Sequence, residues 1–374
     1  MFSPELILAH LEALRMPNGA FIASPASDYR ALWVRDQLYM AICYWYLARF
    51  YPERRDEFHE KLRQSVQLVF NIFHAQRHKL ERVNQPRDHE GKLIVAELVN
   101  AKYDAETLRE LTRNWGHHQL DMIGLFLYLV ADLKFKNIVV ARDRGDHEIL
   151  QLLVFYLENV RYWQEPDNGI WEECLICRSS SIGAVVAGLD TAKRQELATV
   201  PEELITLGRN KLRRILPYES QDQCGAPFHY HDCDAAQLFL IWPFHVVTKE
   251  TADVILSRII DGHVAPDGTP HKLVQPMGIN RYYGDNYRRS RDGVSAQWQW
   301  EWLLSIIFSL RNEYEQAVFW FLRTAGRITP EGYITEAFTD GKPNDHTPLG
   351  WMHALALIAY EKLPPEFREK VVAA

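Results

Sequence analysis

Leu38-Tyr39-Met40-Ala41-Ile42-Cys43-Tyr44-Trp45-Tyr46-Leu47 is almost wholly apolar and aromatic, and it lies in a stretch, 35–50, that reads as a helix. A helix with so few faces left for water must be largely buried. Before it, Leu6, Leu8, Leu11 and Leu14 keep close to helical spacing until Pro17-Asn18-Gly19 stops them. After it, Pro52 suits a first helical position and opens 52–73, whose first half carries a charged face. Helical spacing resumes at 119–133 and 146–159, and 180–189 reads as a short helix of small residues able to pack closely. A basic-faced helix at 201–216, an apolar one at 234–244 capped by Asp234, and an amphipathic one at 249–260 follow. The stretches 298–310, 315–325 and 349–361 complete the set, and Pro364-Pro365 starts a terminal tail or helix. This makes roughly a dozen helices with no series of strands able to build a sheet. No linker divides the chain. Residues 1–374 are therefore expected to form a single all-α domain with a pocket built from its long loops, the charged segment 76–114 among them.

Composition narrows the function. The 374 residues are 47% hydrophobic and 24% charged, which suits a globular chain with a sizeable core. A net charge of −7 gives no basic footprint for nucleic acid. No apolar run reaches membrane-spanning length, and the start lacks a leader pattern, so the expectation is a cytoplasmic protein with neither a nucleic-acid nor a membrane partner. Five cysteines, an odd number in a long chain, fit reduced thiols better than a disulfide framework. Aromatic residues are numerous and cluster with polar ones, which suits ligands with one apolar and one hydroxylated face, sugars among them.

Five segments set rings beside charged or polar groups: Leu32-Trp33-Val34-Arg35-Asp36, Trp115-Gly116-His117-His118-Gln119-Leu120-Asp121, Gly169-Ile170-Trp171-Glu172-Glu173, Arg281-Tyr282-Tyr283-Gly284-Asp285-Asn286-Tyr287 and Thr335-Glu336-Ala337-Phe338. The third follows the breaker run Glu165-Pro166-Asp167-Asn168-Gly169, and its adjacent carboxylates suit the floor of a polar pocket better than a core. Successive side chains diverge there, so one of the two can face a bond while the other braces a neighbour. Each segment alone also fits a structural role, Arg35 and Asp36 as a salt bridge, Asp121 as a cap, the tyrosines as packing. Their recurrence favours one shared pocket. Metal and redox readings are weaker. Cys174-x-x-Cys177 has no second pair at a suitable distance. His229-Tyr230-His231-Asp232-Cys233 holds several ligand types but reads as loop histidines before a helix, and Arg288-Arg289-Ser290-Arg291 as a solvated loop.

The order of Gly-Ala-Phe-Ile-Ala-Ser-Pro (19–25), Trp-Val-Arg-Asp (33–36), Ala-Lys-Tyr-Asp (101–104), Trp-Gly-His-His-Gln-Leu-Asp (115–121), Gly-Ile-Trp-Glu-Glu (169–173), Ser-Ser-Ile-Gly (180–183), Arg-Tyr (281–282) and Thr-Glu-Ala-Phe (335–338) resembles glycoside hydrolase family 15. That family holds glucoamylases, glucodextranases and some trehalases. The chain is also similar to the amino-terminal domains of phosphorylase kinase α and β subunits, and the 115–121 and 180–183 motifs lean that way. The resemblance covers about Gly19 to Trp351 and implies an (α/α)6 barrel. It further implies an inverting hydrolase of α-linked gluco-oligosaccharides that uses no metal or organic cofactor. Glu172 takes the general-acid role and Glu336 the general-base role. Arg35, Asp36 and Arg281 would hold sugar hydroxyls, and Trp33, Trp115, Trp171 and Trp351 would line subsites. Gln119, Asp121 and Glu173 would stand near the acid. Trp171 by burial, and Glu173 by its charge, would keep Glu172 protonated. Three departures from the glucoamylase pattern concern the substrate: His117-His118 after Trp-Gly, Ala337 after the base, and Cys174 to Cys177 after Glu173. The alternative is a carbohydrate-sensing or partner-binding regulatory module.

Overall fold

A computed structural model describes residues 2–112, 115–224, 229–265, 268–290 and 292–373. Fourteen helices are present among them: α1 (Pro4–Ala13), α2 (Val34–Phe50), α3 (Arg55–Ala75), α4 (Arg77–Leu80), α5 (Leu120–Phe135), α6 (Arg144–Asn159), α7 (Ser179–Arg194), α8 (Glu202–Ile215), α9 (Leu238–Ile241), α10 (Lys249–Ile260), α11 (Glu301–Leu310), α12 (Tyr314–Ala325), α13 (Gly350–Lys362) and α14 (Pro365–Ala373). Six form a closed ring, because α2 packs on α5, α5 on α7, α7 on α9, α9 on α11, α11 on α13, and α13 returns to α2. Six more cover this ring, with α1 on α13, α3 on α2, α6 on α5, α8 on α7, α10 on α9 and α12 on α11. The architecture is the expected all-α (α/α)6 barrel.

Burial explains which helix takes which ring. In α2 nearly every residue is buried, as its composition requires, and α13 is buried from Gly350 to Tyr360. The outer helix α8 buries only a stripe, Leu204, Ile205, Gly208, Leu212 and Ile215, and gives its charged face to water. Each aliphatic side chain so removed from water contributes about 1.5–3 kcal/mol. Helices α5 and α7 pack closely, and a Cβ on Gly124 would stand 2.4 Å from the Ala184 carbonyl carbon. No larger residue permits that approach.

Several expectations need correction. The small-residue helix runs on to Arg194 instead of ending near 189, because Asp190 and Arg194 pair along its outer turn. The stretch 234–244 is a 3-10 turn, Ala235–Gln237, with a capping box between Asp234 and Gln237, and then only one α-turn, Leu238–Ile241. Pro243, two residues on, cannot continue it. A sheet also exists. Val274–Gln275, Gly278–Ile279, Gln297–Trp298, Ala337–Thr339 and Lys342–Pro343 make a five-stranded antiparallel sheet with Gln297–Trp298 at its centre. Its strands hold two or three residues, too few for an alternating pattern to show. Pairing of Trp298 with Ala337 fixes the place of Glu336, the residue just before that strand. Cys174 is disulfide-bonded, against the expectation of thiols throughout, while Cys43, Cys177 and Cys233 are free. Among the described residues no helix is long and apolar enough to cross a membrane.

Candidate active site

A cavity of about 350 Å³ lies at the N-terminal ends of the inner helices. Trp33, the N-cap of α2, and Leu349, the N-cap of α13, are part of its wall. Helix N-termini carry partial positive charge and free N–H groups, so this end suits oxygen-rich ligands and carboxylates. Ten of the twelve expected site residues line the cavity: Glu172, Glu336, Trp33, Arg35, Asp36, Trp115, Trp171, Glu173, Arg281 and Trp351. Gln119 and Asp121 stand one layer behind. Arg35 Nη1 donates to Gln119 Oε1 at 2.7 Å and to Asp121 Oδ2 at 3.3 Å, so both orient the arginine instead of facing the cavity.

Glu172 reaches the cavity from a strained turn. Its amide donates to the Gly169 carbonyl at 3.1 Å and its own φ is +61°, a conformation that costs a non-glycine residue about 1–3 kcal/mol. Gly169, at φ +60°, makes the turn possible. The Glu172 carboxyl accepts from Arg35 Nη2 at 3.3 Å and from the Trp115 indole N–H. Glu173 and the indole N–H of Trp171 are both bonded to other residues. Glu173 accepts from Arg281 Nη2 at 2.6 Å and from the Tyr282 hydroxyl at 2.7 Å, and the Trp171 indole donates to Asp234 at 2.8 Å. Arg281 is bound again by Asp285 at 2.6 Å, so Glu173 acts as a brace for the arginine.

Glu336 is held far more tightly. Its side chain is 1% exposed. Oε1 accepts from the Tyr29 hydroxyl at 2.8 Å, while Oε2 accepts from Tyr287 at 3.0 Å and Asn344 at 2.5 Å and lies 2.8 Å from His346 Nδ1. Burial, with Glu336 alongside, raises the Tyr29 hydroxyl well above the ordinary phenol range, so it stays a donor. His346 Nε2 is 3.0 Å from Asp28 Oδ2, and Asp28 is 62% exposed. Tyr29 stacks on His346 with ring centroids 3.4 Å apart.

Asp36 lines the same cavity and is pushed up to about 7 by burial, with Arg35 opposing and the Glu172 and Glu336 charges adding to the rise. Flat faces complete the wall. Trp298 lies 5.9 Å from Trp171, and the Arg281 guanidinium sits 4.8 Å over Tyr287. Tyr29, Asn344, His346 and Trp298 escaped sequence reasoning. Asn344 and His346 meet the site through Glu336, and Tyr29 both bonds Glu336 and lines the cavity, and no local pattern announces that; Trp298 stood beside Gln297 and Gln299 inside a stretch read as a helix. In the loop read for metal ligands, His231 bonds Asp234 and Asp232 bonds two later histidines, while the His229 side chain lies outside the described residues. Arg288 is not merely solvated but pairs with Asp345 and His346; Arg291 lies outside the described residues.

A double ring of helices with a cavity at one end is an architecture this chain shares with solved glycosidases. The sequence profile described as Glycosyl hydrolases family 15 matches residues 5–318, and the chain belongs to that family. A solved structure titled Glycosidase Wild Type superposes with a TM-score of 0.72 at 17% identity, covering 96% of this chain and 97% of that one. The family 15 glucoamylase from Hypocrea jecorina gives 0.64 at 15% identity over 97% and 72%. Among curated relatives, a probable phosphorylase b kinase regulatory subunit alpha of Drosophila melanogaster is 25% identical over 83% of this chain and 25% of its own length. The skeletal muscle isoform of that subunit from Mus musculus is 23% identical over 92% and 31%. The chain thus spans about a quarter to a third of these relatives.

Proposed function

We propose that residues 1–374 act as one inverting glycoside hydrolase domain that cleaves α-glucosidic bonds of gluco-oligosaccharides. The observation that carries this reading is that Glu172 and Glu336, far apart in sequence, line one cavity in which Arg35 and Arg281 are each held by carboxylates. In an inverting reaction the two carboxyl groups stand roughly 6.5–9.5 Å apart with a water between one of them and the sugar. Glu172 gives its proton to the glycosidic oxygen as the bond from the anomeric carbon breaks. Glu336 takes a proton from the attacking water, whose oxygen bonds the opposite face and yields the β-anomer. Arg35, Asp36 and Arg281 hold hydroxyls of the sugar cleaved off, and the indoles of Trp33, Trp115, Trp171 and Trp351 cover its flat faces. The chain Glu336, His346, Asp28 offers the captured proton a way from a buried carboxylate to an exposed one.

A second reading rests on the kinase regulatory subunits among the relatives: the site binds sugar without cleaving it and reports occupancy to a partner. One experiment separates the two. The protein is incubated with maltose, isomaltose, trehalose and dextrin, and sugar release is followed by NMR. Release of β-glucose that disappears in Glu172→Gln supports the hydrolase. Measurable oligosaccharide binding with no release from any of the four overturns it in favour of the sensor.

A further inference from the structure

We propose that Asp232, His263 and His271 form a binding site for a divalent transition-metal ion, Zn²⁺ foremost, outside the sugar cavity. One ligand atom from each of the three lies within 4.8 Å of the others. Asp232 Oδ1 is 3.1 Å from His271 Nδ1, and Asp232 Oδ2 is 2.5 Å from His263 Nε2. Ligands held at about 2.0–2.2 Å from a tetrahedral zinc are roughly 3.3 Å apart, and the two contacts use different oxygens of Asp232, so one carboxylate oxygen and the two imidazoles would draw together from within 4.8 Å to close on an ion. Two imidazoles and a carboxylate form a common protein ligand set for zinc, with a fourth position left for water.

Backbone geometry builds the cluster. His263 and His271 are directly paired residues on the facing strands His263–Val264 and Pro270–His271, so their rings project from the same face of the hairpin. Asp232 meets them from the segment that leads into the inner ring at Asp234. The side chains of Asp232, His263 and His271 are 7%, 9% and 2% exposed. His271 is further fixed by stacking on Tyr283, with centroids 3.8 Å apart. His263 Nδ1 is buried and has no hydrogen-bond partner, so hydrogen bonding from Nε2 alone leaves a buried polar atom unmet. Arg258 donates to the Asp232 carbonyl at 2.9 Å and lies 3.8 Å from its Oδ2, which orients the aspartate and weakens its hold on a cation.

Such an ion, with water in its fourth position, would cross-link elements of the fold. It ties the 263–271 hairpin to the segment in which Asp234 bridges to Tyr282 and accepts the Trp171 indole N–H, and so it supports the wall of the cavity from behind. Neither the metal nor its ligands enter the proposed hydrolysis, and the test below reads binding alone.

The full chain is stripped with EDTA, desalted and titrated with ZnCl₂ by calorimetry and with Co²⁺ by visible absorption. Wild type is expected to take up one equivalent, to show the Co²⁺ bands of a tetrahedral site and to gain thermal stability with added Zn²⁺. His263→Gln and Asp232→Asn, each checked by circular dichroism, should bind at least tenfold more weakly and show no thermal gain. His263 lies on a surface hairpin, so its variant reports even where the aspartate variant fails to fold. Uptake that is absent in wild type, or equal in wild type and the folded variants, would leave a hydrogen-bonded cluster only and overturn the site.

Discussion

The two glutamates that line one cavity are held in opposite ways. Glu336 is buried and has two tyrosines, an asparagine and a histidine on its oxygens, whereas Glu172 is 12% exposed and, among the described residues, is bonded by Arg35 and Trp115. A group meant to accept a proton from water gains from a rigid cage of donors, since its position sets the line of attack. A group meant to hand a proton to a leaving oxygen needs an open side and room to adjust. Under the proposed hydrolase, the caged carboxyl suits the base and the more open one the acid.

Four substitutions would break or sharpen that contrast. The largest effect is expected for Glu172→Gln, which removes the proton donor and keeps the shape; kcat/KM should fall by about 100- to 10,000-fold while substrate binding survives, as read by calorimetry. Glu336→Gln should lose a similar factor and, in addition, about 1–3 kcal/mol of stability in urea unfolding, because its amide N–H₂ meets donors on that side. Equal stability losses for the two variants would erase the difference between a caged and an open carboxyl. His346→Gln comes next: kcat lower by roughly tenfold with KM little changed, and a shifted pH profile, would mark a positioning and proton-relay role.

Asp36→Asn tests another carboxyl that lines the cavity. Asp36 is raised to about 7 from 3.8, so between those values the folded chain holds a proton that the unfolded chain has lost. The stability it contributes is present at low pH and is lost as pH rises through about 7. Asn cannot ionise, so the variant should melt higher than wild type at pH 8 and show a flatter decline of Tm from pH 4 to 8. An unchanged slope would mean that Asp36 ionises freely beside Arg35.

Much of the molecule was legible before folding. The apolar saturation of α2, the periodicity of the other long helices and the order of five aromatic-polar segments follow from residue types and spacing alone, because burial selects apolar side chains at helical intervals. Ten of twelve expected site residues reached the cavity for the same reason: groups at helix N-termini and in the loops before them converge when six inner helices close a ring. The sheet, the cage around Glu336 and the Asp232, His263, His271 cluster had no such signal. Strands of two residues show no period, and Tyr29, Asn344 and His346 acquire their meaning through one carboxylate reached by tertiary contact. Sequence by itself determined the helices and the acidic pair, since those are written in local chemistry. Only the tertiary structure decided that Glu173 braces Arg281, that Gln119 and Asp121 stand behind Arg35, and which carboxyl is caged, because hydrogen-bond partners are chosen in space and not along the chain.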